Sequence, residues 1–104
     1  MTTDSDEAVT TAWRALSPEQ RSAWAAELLG REPTMQALRD ALTADGFTIH
    51  DDELVDDTGA VHAWRATAVG DAVFASCSEL SRDDAWGLLF TRIRERQRAA
   101  GVAR

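Results

Sequence analysis

The chain has no lysine, no asparagine and no tyrosine, and it has only one cysteine and two prolines. Each shortage excludes something. A lone Cys77 cannot close an intrachain disulfide, so a packed core must hold the fold, and a reducing compartment is expected. With so little proline and no Gly- or Ser-rich tract, there is no long linker and no low-complexity segment. No apolar run approaches the ~20 residues that a bilayer-crossing helix needs. The N-terminus lacks the basic region and apolar stretch of a secretion signal. A soluble cytoplasmic protein is expected. The three missing residue types use AT-rich codons, whereas alanine, which occurs 19 times, uses GC-rich ones. A bacterial genome of high GC content accounts for this, so the absence of lysine carries no functional meaning.

What is present is a chain of 104 residues, 44% apolar, with four Trp and three Phe. That length predicts one domain, which buries about two thirds of the surface its unfolded chain exposes. The net charge of −7 disfavours nucleic acid and anionic membranes, because both require a cationic surface. The charge is also divided. Acids crowd residues 40–57, where Asp51, Asp52, Glu53, Asp56 and Asp57 form an acidic patch, and arginines crowd the C-terminus, where Arg92, Arg94, Arg96 and Arg98 form a basic one.

Helical spacing of Ala8, Val9, Ala12, Trp13 and Leu16 predicts a helix over 5–16. Ser17-Pro18-Glu19-Gln20 is a capping box with proline at the first helical position, and it opens a helix that Gly30 stops. Pro33 opens a third helix. Asp45-Gly46-Phe47 ends it, with Phe47 folding back over Leu42. Strands are predicted over 47–55, 60–69 and 72–77, with a turn at Asp56–Gly59 and a two-residue type II′ turn at Gly70-Asp71. Ser81 caps a last helix with Trp86, Leu89, Phe90 and Ile93 buried, and residues 1–6 and 99–104 are expected to fray. The fold class is α+β: a three-stranded antiparallel meander packed on two helices, in α-β-β-β-α order over 33–99, with an N-terminal helical hairpin over 5–30.

Placing Val55 opposite Ala60 and Val69 opposite Ala72 turns Phe47, Ile49, Trp64, Ala66, Ala68, Val73, Ala75 and Cys77 to one face. The other face mixes Leu54, Val61, Ala63, Val69 and Phe74 with His50, Asp52, Arg65 and Thr67. That is too apolar for a solvated sheet face, so either the first two helices or another chain should cover it. Leu54, Val61, Val69, Phe74 and Arg65 are the candidate interface.

No catalytic motif, nucleotide loop or metal knot is visible, so no cofactor and no enzymatic activity are expected. His50, His62, Cys77 and Asp51-Asp52 are the candidate metal ligands, but the two histidines point to opposite faces and cannot share a zinc ion. His62 is expected opposite Glu53, and Cys77 is expected to be a small core hydrophobe. The four Trp lie on apolar stripes; one in the first two helices whose ring N–H lacks a partner would be an interface anchor. The arginine row at i, i+4 spacing repels itself and needs an offset, from the helix dipole or from the acids of a second copy.

The order helix, three strands, helix over 33–99 resembles that of double-stranded-RNA-binding domains, and Gly59-Ala60-Val61-His62 resembles their loop containing a Gly and a His. That family grips its ligand with basic residues at the start of its last helix. Here that position reads Arg82-Asp83-Asp84, of the wrong sign, so the resemblance implies an order of elements and not RNA binding.

The expected role is a non-catalytic protein–protein interaction module, with the chain itself a candidate partner. One alternative is a pocket for a small apolar ligand between the sheet and the N-terminal helices, lined by Trp13, Trp24 or Phe74. Another is an acidic inhibitor, antitoxin-like or mimicking nucleic-acid phosphates, that binds a basic partner.

Overall fold

A computed structural model describes residues 2–71 and 73–101. The elements are α1 (Thr2–Arg14), α2 (Pro18–Leu29), α3 (Met35–Ala44), β1 (Thr48–Val55), β2 (Val61–Val69), β3 (Phe74–Glu79) and α4 (Arg82–Ala99). Residues 2–6, expected to fray, are the first turns of α1; of the expected C-terminal fray, 102–104 lie outside the described residues. α1 also ends earlier than its apolar stripe suggested, before Ala15 and Leu16.

The caps explain the boundaries. Ser17 Oγ accepts from the Gln20 backbone N–H and the Gln20 side chain accepts from the Ser17 N–H, and Gly30 closes α2 in the left-handed region at φ 85°. α3 begins two residues later than its proline implied, because Thr34 is the cap and accepts from the Ala37 N–H. At its end Gly46 stands at φ 97°, Gly46 N–H donates to Thr43, and Phe47 N–H donates to Leu42. These are the two bonds of a Schellman motif, and they turn the chain into β1.

The strands form one antiparallel sheet in the order β1-β2-β3. Both registers differ from the expected ones by two residues: Ile49 faces Ala68 and Trp64 faces Glu79. A two-residue shift preserves the face of every side chain, so the inner and outer sets stand for the paired residues from Thr48 to Leu54, Ala63 to Val69 and Phe74 to Glu79. The predicted II′ turn fails because it needs φ > 0 at Gly70, which Gly70 does not adopt. The loop instead runs to Val73, whose carbonyl accepts from the Gly70 N–H at 2.7 Å. A Cβ at Gly70 would lie 3.2 Å from the Phe47 ring, so a larger residue there would require the ring to give by a few tenths of an ångström. The first hairpin is also longer, with a bulge between Leu54 and Val55 and Val55 opposite Val61. Glu53 therefore faces Trp64, and not His62 as expected.

α4 is the centre of the molecule. It contacts β2 and β3 on one side and α1, α2 and α3 on the others, while α3 also meets β1. Its run Leu88-Leu89-Phe90 is accordingly apolar all round and buried. Trp13 comes down on it from α1, Leu38 and Leu42 from α3, and Ala66, Ala68, Ala75 and Cys77 from the sheet. Small residues on the strands oppose large ones on the helix, as close packing requires.

Candidate interaction surface

The strand pairings set the outer sheet face in rows. Thr48, Val69 and Phe74 make the first; His50, Thr67 and Ser76 the second; Asp52, Arg65 and Ser78 the third; Leu54 and Ala63 the fourth. Leu54, Arg65, Val69 and Phe74 of the candidate interface are on this face, whereas Val61 lies past the bulge, opposite Val55. The four buried strand residues are all on the other one, where α3 and α4 pack. α1 and α2 pack on α4 and not on the outer face, so of the two expected covers, the first two helices or another chain, the helices are corrected. Two exposed large apolar side chains stand on the outer face, Phe74 at 67% and Val69 at 43%, and Val55, Val61 and Leu80 are exposed beyond its far end, past the bulge and past β3. In the middle rows Arg65 donates to Asp52 at 2.8 Å, His50 Nε2 lies 3.5 Å from the same carboxylate, and the Thr67 and Ser76 hydroxyls are 3.4 Å apart.

The acidic patch does not exist as one surface, because a strand sends neighbouring side chains to opposite faces. Asp51 points inward. It accepts from the Trp86 ring N–H at 2.9 Å and from Arg82 Nε at 2.8 Å. Burial pushes its carboxyl up, but those bonds and the charges of Arg82 and Arg39 outweigh burial and leave it below the usual carboxylate range. Asp52 points outward to Arg65. Asp56 binds its own turn, accepting from the Thr58 N–H, the Thr58 hydroxyl and the Ala60 N–H. Glu53 and Asp57 are exposed.

The basic patch is likewise divided among internal partners. Arg92 and Arg96 both donate to Asp6, Arg94 pairs with Asp45, and Arg98 pairs with Glu95. The offset that the arginine row requires comes from acids of the same chain, one of them 90 residues away in sequence. Arg92 also lies 3.1 Å from the Cys77 sulfur. Burial nonetheless raises the Cys77 thiol to about 11, so it is a protonated core group and not a nucleophile at neutral pH.

Trp13 and Trp86 are buried, and Trp24 and Trp64 are half-buried against the core. The Trp24 ring N–H donates to Glu95 at 2.9 Å, and Trp13 is buried under the Arg21 guanidinium, 4.1 Å from its ring centre. Neither is a free anchor. Trp13 and Trp24 meet α4, whereas Phe74 is beyond the sheet, so the three line no common pocket. The cleft beside Trp13, about 220 Å³, opens instead between α2, α3 and the start of α4, with Met35, Leu38 and Asp84 on its walls. No three potential metal ligands converge among the described residues, and none of their helices is long and apolar enough to cross a membrane.

Sequence reasoning missed the Asp51–Arg82–Trp86 linkage. Alternation within β1 signalled that one of the paired aspartates must face the helices, and an inward carboxylate requires a donor. No protein-family model, curated protein or solved structure matches this chain.

Proposed function

We propose that this chain is a non-catalytic protein-interaction domain and that the outer face of its sheet is the docking surface. One observation carries the reading: the helices pack behind the sheet or on α4, while Phe74 stands 67% exposed in a row with Val69. Leaving an aromatic ring in water on a domain that buries other rings completely is the mark of a surface with a second use. All four arginines of the basic patch are paired with acids of the same chain, and two of the five acids of the acidic patch with Arg82 and Arg65, which lends less support to an acidic inhibitor or phosphate mimic.

Phe74→Glu tests this. The substitution is expected to shift the melting temperature by no more than about 2 °C, since the ring makes no core contact. Wild type and Phe74→Glu are then compared as baits in an extract of the native host. The reading predicts a protein retained by the first and lost from the second. Identical retention by both baits contradicts it.

A further inference from the structure

We propose that the occupant of the outer face is a second copy of this chain, stacked face to face about a two-fold axis that crosses the strands at the level of Asp51, Ala66 and Cys77. The inference rests on the docking-surface reading above and names its partner. A two-fold contact joins a patch to itself, so the patch must match its own rotated image. The rows of this face do so. Apolar groups stand at one end in Val69 and Phe74, polar groups fill the two middle rows, and apolar groups return in Leu54, Ala63 and, one residue past β3, the 85%-exposed Leu80.

Charge selects the axis. Rotation about a line along β2 would lay Arg65 of one copy on Arg65 of the other and Phe74 on Thr48. Rotation about a line across the strands reverses the rows. It lays His50 over Asp52 of the second copy, Arg65 over Thr67, Val69 over Ala63, Thr48 over Leu54 and Phe74 over Leu80. Apolar groups meet apolar or methyl-bearing neighbours either way, and charge decides: only the second arrangement gives every charge a hydrogen-bonding neighbour and stacks no charge on its like. The face also argues against a strongly charged foreign partner, because its carboxylate and guanidinium already neutralise each other at 2.8 Å.

Four rows on three strands cover about 14 by 23 Å, which falls below the ~800 Å² per partner of a standard interface and places the dimer in the weak, transient class. The net charge of −7 sits on the remaining surface of each copy, so added salt should tighten the pair.

The test is complementation between two variants, Val69→Lys and Ala63→Glu. Both sites are on the central strand, where pairing of sheet edges cannot reach them. Each variant alone should associate at least about tenfold more weakly than wild type in sedimentation equilibrium. An equal mixture should recover association, because the introduced ammonium of one copy then lies over the introduced carboxylate of the other. Near-ultraviolet circular dichroism of the buried tryptophans verifies the fold; if either variant fails that check, Thr48→Lys with Leu54→Glu repeats the test on β1. A wild type that stays monomeric to about 1 mM overturns self-pairing, yet leaves the docking surface standing if Phe74→Glu still strips a captured host protein. Association that Val69→Lys leaves untouched, or a mixture that does not recover, overturns this geometry.

Discussion

Trp86→Ala is expected to destabilise the domain by about 4 kcal/mol and to lower its melting temperature by about 20 °C, measured by thermal and urea unfolding. Trp86 is fully buried on α4, between the sheet and α3. Its truncation removes a large apolar volume that backbone elements on several sides cannot collapse to fill. It also removes the ring N–H bonded to Asp51 and the face over which the Arg39 guanidinium rests at 5.5 Å. Because domains of this size are stable by only about 5–15 kcal/mol, the loss is a large share of the total. Trp86→Phe separates the causes. It retains most of the volume and deletes the hydrogen bond, and should cost about 1–2 kcal/mol. Equal losses in the two variants would show that the bond, and not the packing, dominates.

Asp6→Ala is expected to cost about 3 kcal/mol, because one carboxylate serves two guanidiniums. Arg92 and Arg96 stand one helical turn apart on α4 and both donate to Asp6, whose side chain is only 13% exposed. Without it two like charges face each other beside Cys77, and α1 loses its ionic tie to the core helix. The pH dependence has a definite sign. Burial pushes the Asp6 carboxyl up, but the bonds and charges of Arg96 and Arg92 outweigh burial and hold it below its ordinary 3.8. A depressed carboxyl contributes stability that is complete above its unfolded value and is lost as pH falls through its folded one. Wild type should therefore lose stability steeply below about pH 4, and Asp6→Ala less steeply. Parallel acid-unfolding curves for the two proteins would contradict this account.

Much of the fold was legible because its signals are local. Ser17 to Gln20, the Asp45-Gly46-Phe47 stop and the Ser81 cap each satisfy orphan backbone groups within one turn, and strand alternation assigns faces whatever the exact register. The register was less legible: nothing local announces the bulge between Leu54 and Val55, and Gly70, which beside Asp71 signals a tight turn, does not adopt the positive φ that such a turn needs. The charged poles were misread for a different reason. Contiguity in sequence suggested patches, but a strand separates neighbours, and Arg92, Arg94 and Arg96 find acids 49 to 90 residues away that no local pattern announces. The outer face was legible in composition alone. Whether α1 and α2 would cover it depended on α4 having enough apolar surface to take them both, which its run Leu88-Leu89-Phe90 supplies.

The uncovered sheet face is the claim on which the functional reading depends, and methyl NMR tests it most directly. On serial dilution from about 1 mM, the resonances of Leu54, Val61 and Val69 should move together while those of Leu38, Leu88 and Ile93 stay fixed. Shifts confined to α1 or α4, or contacts between the Phe74 ring and core methyls in the dilute protein, would contradict the account.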